Sequence, residues 1–394
     1  MQLSNPFEKK TCPHCFEEFA LGECEIYSSV EIDSIGEDLL LRPRLQGFSR
    51  WIEQALPDKL SHNLFQKHQP YRRCPNSACK KALPYNITTN ESCVIGVIGG
   101  RGSGKSHYIA ALIETLLYRT PIDNLGIVEM APLPKIQAQF TREYYNPLFG
   151  QRGKLQANIP GKLTDPLVYT FTFAPQAEGQ PPRSLNLVMI DVSGEDLTDE
   201  TQMVRIARFL LHARGFIMVV DPLVSESFVD LLPPHLKPSD PPGERALVVL
   251  NNLILNIRRY RGLSDGTKIP LPIAIVTGKG DLARNVLSPT DLRTEPLRGS
   301  DQRLPDADYR NGFSLEQYQR VSDASEVFLR DFDNGPLVQR ARGVFHKDQV
   351  SFSTVTATGQ HFDDQLGQFR GAITPRRCAD PLLWIFHSLG FLKL

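Results

Sequence analysis

Residues 93–106 read CVIGVIGGRGSGKS, and residues 106–118 continue SHYIAALIETLLY. The first seven residues are apolar enough for a buried parallel strand. The continuation has the pattern of a helix. Between them, Gly99, Gly100, Arg101, Gly102, Ser103, Gly104, Lys105 and Ser106 match G-x-x-x-x-G-K-[ST] at every fixed position. Strand, glycine-rich turn and helix form the context in which this pattern binds phosphate. Gly99, Gly102 and Gly104 let backbone N–H groups converge on phosphate oxygens. The helix N-terminus adds a favourable dipole, and His107 extends the cradle into its first turn. Lys105 is placed to reach the β and γ phosphates and to act in catalysis. The Ser106 hydroxyl is placed to hold Mg²⁺. The expected fold class is α/β, a P-loop NTPase fold with a mostly parallel central sheet, preceded by a small zinc-binding module.

The chain has 394 residues, 41% of them hydrophobic, which is enough for a sizeable core. Lysine plus arginine equals aspartate plus glutamate at 44 each, so no charge excess calls for nucleic acid or an anionic surface. Nucleic acid is therefore not favoured as a partner. The start, MQLSNPFEKK, lacks the apolar segment of a secretory signal. No apolar run is long enough to span a membrane. Seven cysteines, four with metal spacing, point to a reducing, cytoplasmic location.

Those four are Cys12 and Cys15, in C-P-H-C, and Cys74 and Cys79, in C-P-N-S-A-C. Two such turns suit a tetrahedral zinc site, which with four thiolates is structural and closed to substrate. His14 and Cys24 are alternative ligands. Residues 16–73 separate the pairs, a long insertion in which EIYSSVEID is strand-like and FSRWIEQAL is a short helix. Arg72, Arg73, Lys80 and Lys81 flank the second pair, and earlier acidic residues balance them. The expected division is 1–90 for the zinc ribbon-like module and 91–394 for the nucleotide-binding domain.

Beyond the glycine loop, Thr164 precedes a strand and is the candidate for contacting Mg²⁺ and the γ phosphate. Arg152 and Lys154 lie nearby. SLNLVMID, residues 184–191, is a second core strand ending in Asp191, the expected magnesium-orienting acid. Asp191 to Gly194 forms D-x-x-G, and the Gly194 N–H is placed to sense the γ phosphate. Glu195, and less directly Asp196, are candidates to position water. ARGFIMVVDPL, residues 213–223, is another buried strand ending at Asp221. LPIAIVTGKGDL, residues 271–282, brings Lys279 and Asp281 in a lysine-x-aspartate spacing. The aspartate accepts from guanine N1–H and the exocyclic amine, and the lysine stem packs over the base. QVSFSTVTATG, residues 349–359, is a late strand ending near Ala357 and Thr358, whose backbone is placed to meet guanine O6.

In this order the motifs resemble the Ras-like GTPases of the translation-factor-related class, over roughly residues 92–394. The zinc module and the terminal P-L-L-W-I helix are similar to bacterial double-GTPase proteins of conflict systems. The broader resemblance implies GTP/GDP and Mg²⁺ as cofactors, with Zn²⁺ in the N-terminal module. Two positions depart from it. Gly278 stands where asparagine or threonine usually precedes the lysine, and Glu195 stands where a glutamine usually orients water. The expected function is a GTP-binding switch with slow, Mg²⁺-dependent hydrolysis and a protein effector. An ATPase with the same phosphate site and a non-hydrolysing, nucleotide-binding interaction protein are the alternatives.

Overall fold

The computed structural model describes residues 7–29, 39–40, 69–84, 86–133, 136–156, 165–175, 177, 181–193, 197, 203–238, 245–299 and 303–392. Thr164, Gly194, Glu195, Asp196 and the expected helix FSRWIEQAL lie outside them.

The N-terminal part begins with β1 (Lys9–Thr11) and β2 (Glu18–Ala20), an antiparallel pair, and continues with β3 (Glu25–Ser29). That strand sits between β4 (Leu39–Leu40) and β5 (Gln69–Arg73). Cys12, Phe19, Leu21, Cys24, Cys74, Leu83 and Ile87 form its small core.

The larger part is built on seven strands: β6 (Glu91–Gly99), β7 (Ile127–Pro132), β8 (Leu167–Phe173), β9 (Arg183–Ser193), β10 (Ala213–Val220), β11 (Ile273–Thr277) and β12 (Val350–Thr354). Their order is β12-β11-β10-β6-β9-β8-β7. The first five in that order are mutually parallel, whereas β8 is antiparallel to β9 and β7 to β8. β6, β10 and β11 carry continuous apolar runs, as burial on both faces requires, whereas β12, VSFST, alternates and is nevertheless buried throughout. Cys93 to Ile98 and Phe216 to Val220 are buried throughout.

The helices follow as α1 (Lys105–Glu114), α2 (Ile136–Phe140), α3 (Met203–His212), α4 (Glu226–Asp230) and α5 (Ala246–Arg261). Then come α6 (Leu315–Leu329), α7 (Gly335–Val344) and α8 (Asp380–Ser388). α3 packs on α5 and α5 on α7, while α8 packs on β10, β11 and β12. Among the described residues no helix is long and apolar enough to cross a membrane.

The observed bounds refine the sequence expectations. β9 runs two residues past Asp191, so the acid lies within the strand rather than at its tip. β12 stops at Thr354, because the chain turns to pair Thr356 with Arg376, and Ala357 and Thr358 fall in the following loop. The irregular stretch after α1 contains edge strand β7 and a π-helical turn, Thr141–Gly150, around Pro147. The proline lacks the N–H that a regular helical turn would use there.

Candidate functional site

The parallel strands deliver their carboxyl ends to one edge of the sheet, where open α/β sheets place their ligands. Gly99 lies level with Ser193 and Val219, Val220 with Thr277, and Thr277 with Thr354. The loops that follow β6, β10, β11 and β12 therefore start from one edge.

The glycine loop leaves β6 at Gly99. A Cβ there would stand 2.5 Å from the Val219 carbonyl oxygen and 2.7 Å from Ser103 Oγ, so only glycine allows this approach. Ser103 N donates to Gly100 O at 3.2 Å, closing a turn that leaves Arg101 exposed. Gly102 and Gly104 have φ of +75° and +89°, which glycine adopts without Cβ strain. Lys105 bends back, and its Nζ donates to Gly99 O and Gly100 O, each at 2.9 Å. The ammonium is thus buried and aimed along the loop, and its donors are met by carbonyls of the turn.

The Ser106 hydroxyl donates to Asp191 Oδ2 at 2.7 Å. One hydroxyl and one buried carboxylate from two sequence-distant motifs thus share a point beside the first turn of α1. His107 follows. Its Nε2 accepts from Leu155 N at 3.2 Å, and its ring packs edge-on against Phe369. Burial, and then the charges of Lys279 and Lys154, push the imidazole down to about 4, so the ring is neutral.

A second loop follows β11. Lys279 takes a left-handed conformation, φ +55°, and its Nζ donates to Asp221 Oδ2 at 2.6 Å. Asp221 also accepts from Leu223 N through Oδ1, which fixes the carboxylate. The sequence places Asp221 at the end of a strand but gives no sign of this pairing, which crosses between neighbouring loops. Burial raises the Asp281 carboxyl above its ordinary range. The loop after β12 is laced to this one, with Gly280 N donating to Val355 O at 2.8 Å and Val355 N to Thr277 O at 2.9 Å. Ala357 and Thr358 continue from there, and Thr358 O accepts from Thr374 N at 2.9 Å.

Segment 152–155 is held across the chain by a short hairpin, β13 (Phe362–Asp363) with β14 (Gln368–Phe369). Phe369 N donates to Arg152 O at 2.7 Å, and Lys154 pairs with Asp364 while lying 3.9 Å from the Phe362 ring centroid. Arg152 and Lys154 are thus engaged with this hairpin.

The cysteine cluster forms a second centre. Cys12, Cys15, Cys74 and Cys79 bring their sulfurs within 4.8 Å of one another. Cys12 and Cys79 are 3.9 Å apart, and Cys15 and Cys74 are 3.8 Å apart. A tetrahedral zinc thiolate site with bonds of about 2.3 Å has sulfur–sulfur edges of about 3.8 Å. The donor set and its size therefore fit such a metal. Amides already serve the sulfurs: His14 N donates to Cys12 Sγ at 3.4 Å and Asn76 Nδ2 to Cys15 Sγ at 3.9 Å. Neither alternative ligand joins the cluster. His14 Nε2 meets Ala82 O at 2.9 Å, and Cys24 is buried in the small core with its thiol pushed up to about 12.

No family model matches the sequence. The chain is 25% identical over 340 residues to a curated Mycolicibacterium smegmatis protein named "Putative ESX-1 scaffolding and assembly protein SaeC". That match covers 81% of this chain and 80% of the relative. Among solved structures, Sup35 complexed with GMPPNP matches with a TM-score of 0.24 at 13% identity, over 68% of this chain and 38% of that one. The S. cerevisiae Ski7 GTPase-like domain bound to GTP matches with a TM-score of 0.31 at 11% identity, over 78% of this chain and 52% of that one. The chain thus spans about two fifths and about half of these two structures, and the likeness is weak and partial.

Proposed function

We propose that the chain is a GTP-binding switch that slowly hydrolyses GTP to GDP and phosphate in a Mg²⁺-dependent reaction. The observation that carries this reading is the Ser106–Asp191 contact beside Lys105, which joins the glycine loop to the second acidic motif. In this reading Gly99 to His107 cradle the phosphates. Lys105 holds charge on the β and γ oxygens. Ser106, Asp191 and Thr164 would hold Mg²⁺, which would supply charge neutralisation for the departing terminal phosphate. Water attacks the γ phosphorus in line. The bond to the β–γ bridging oxygen breaks, GDP leaves with the electron pair, and one proton is released. Gly194 senses the γ phosphate, and Glu195 stands where water is positioned. Its negative charge beside that phosphate accounts for slow turnover. Asp281 and Lys279 select guanine, with Ala357 and Thr358 at O6.

Residues 1–90 form a zinc-bound structural module in this reading, and residues 91–394 form the Ras-like P-loop domain. A cytoplasmic location and a protein effector complete it. A non-hydrolysing, nucleotide-binding assembly protein is the second reading. It is favoured by the scaffolding and assembly in the name of the mycobacterial relative. An ATPase is the third, and would have no use for Asp281.

Single-turnover release of γ phosphate from GTP and from ATP by the zinc-loaded full chain tests these together. Release from GTP that disappears in Lys105→Ala supports the switch. Tight GTP binding without release favours the second reading. Preference for ATP defeats the first.

A further inference from the structure

The first cysteine turn does more than present sulfur. Phe16 follows it with φ +58°, and its side chain leaves the small N-terminal core to join the main one. Its ring lies edge-on to Phe209 of α3, with centroids 6.1 Å apart. Phe209 in turn fills the space above Gly96 of β6, where a Cβ would stand 2.6 Å from Phe209 Cζ. β6 ends in the glycine loop. An apolar path thus runs from the cysteine turn, through α3, to the strand that leads into the glycine loop.

A polar path runs beside it. Asn76, inside the second cysteine turn, donates to Cys15 Sγ and to Glu17. Glu17 Oε1 pairs with the Arg208 guanidinium of α3 at 3.1 Å. The carboxylate therefore links a sulfur of the cysteine cluster, through one amide, to α3. Lys81 Nζ pairs with Asp165, two residues before β8, while Lys81 O accepts from Cys74 N at 2.9 Å.

Phe16 and Glu17, which follow the first cysteine turn, both hold α3, and Phe209 of α3 packs over Gly96 of the strand that leads into the glycine loop. We infer that Phe16 and Glu17 are positioning residues for the nucleotide site, so that metal loading of the cysteine module and guanine-nucleotide binding are thermodynamically linked. The inference rests on the GTP-binding reading given above. Linkage is reciprocal: a nucleotide state that favours the packed position of α3 raises affinity for the metal, and metal loss lowers affinity for that nucleotide by the same factor.

The Arg208–Glu17 pair is half-exposed, so Arg208→Glu places two like charges together without opening the core. The test uses the zinc-loaded full chain, its Arg208→Glu variant and the conservative Arg208→Lys variant. Two quantities are read: the ratio of GTP-analogue to GDP affinity, and the zinc affinity at equilibrium in competition with a chromogenic chelator with each nucleotide bound. The parent is expected to differ in zinc affinity by about five-fold or more between the two nucleotide states. Arg208→Glu should erase most of that difference and shift the affinity ratio, and Arg208→Lys should restore both. Equal zinc affinity in the two states, or an affinity ratio unmoved by Arg208→Glu, overturns this inference while leaving the nucleotide site standing. Failure of the parent to bind any guanine nucleotide overturns the site reading and this inference together.

Discussion

The Ser106 hydroxyl donates to Asp191 Oδ2 at 2.7 Å, tying the first turn of α1 to the end of β9. A carboxylate held this way orients a metal-bound hydroxyl, and outer groups of that kind commonly tune metal affinity by about 10–100-fold. Asp191→Asn keeps the shape and removes the charge. It is expected to weaken Mg²⁺-dependent GTP binding by about that factor and to leave binding in EDTA little changed. Titration with a fluorescent GTP analogue, with and without Mg²⁺, checks this.

At Asp281 a guanine-reading role would work against stability. Burial raises its carboxyl, so the fold favours the neutral acid. That contribution is complete below the ordinary carboxylate range and is lost as pH rises through the raised value. Asp281→Asn mimics the neutral form. Its ligand-free Tm should exceed the parent's at neutral pH, and the gap should close as the solution is acidified. A guanine-reading site built on that carboxylate should meanwhile lose GTP-over-ATP preference by at least about 100-fold. Thermal melts across pH and a two-nucleotide competition measure the two effects.

Two glycines close together should respond oppositely. A Cβ at Gly278 would meet neighbours at 3.6 and 3.7 Å, ordinary contact distances. Gly278→Ala should be neutral or stabilise by about 0.4–1 kcal/mol. Gly278→Asn supplies the residue usual for the resembled GTPases, and should fold and bind GTP more tightly. At Gly280 the Cβ would stand 2.9 Å from the Val355 carbonyl oxygen and 2.9 Å from Thr354 Cγ2. Gly280→Ala should cost about 1–3 kcal/mol through overpacking. Urea denaturation of the three variants checks the order.

Purified protein should carry zinc equimolar with the chain. Cys74→Ser removes one of four clustered sulfurs and should abolish most of that zinc and destabilise the N-terminal part, because binding energy is folding energy in such sites. Cys24→Ser should retain full zinc, since that thiol lies in the small core outside the cluster. Metal analysis of the three proteins distinguishes them.

His107 should make the protein acid-sensitive. Its Nε2 accepts from Leu155 N, so the neutral ring is the folded form, and its pKa falls from 6.5 to about 4. Between those values the unfolded chain binds more protons than the folded one. Its stabilising contribution is intact above about 6.5 and is lost as pH falls toward about 4. His107→Gln, which keeps an acceptor and cannot titrate, should show a shallower loss. Urea midpoints from pH 7 down to 4.5 test the slope.

The sequence by itself determined the elements whose cause is local. A continuous apolar run fixes β6, glycines fix the turn after it, and helix periodicity fixes α1. Two cysteine turns of metal-ligand spacing mark the N-terminal cluster, and β10 and β11 announce themselves by a near-unbroken apolar run like that of β6. Ends were less legible: β12 stops at Thr354 because Thr356 pairs with Arg376, a partner that no local pattern reveals. Only the tertiary structure decided what lies across the sheet edge from what. Lys279 on Asp221, the Leu155 N–H on His107 and Arg208 on Glu17 are meetings between segments far apart in the chain. The physical reason is that hydrophobic burial aligns the strands, and strand order and register then choose which loops become neighbours. A residue's chemistry can be read from its letter, but its partner is set by the packing of everything between them.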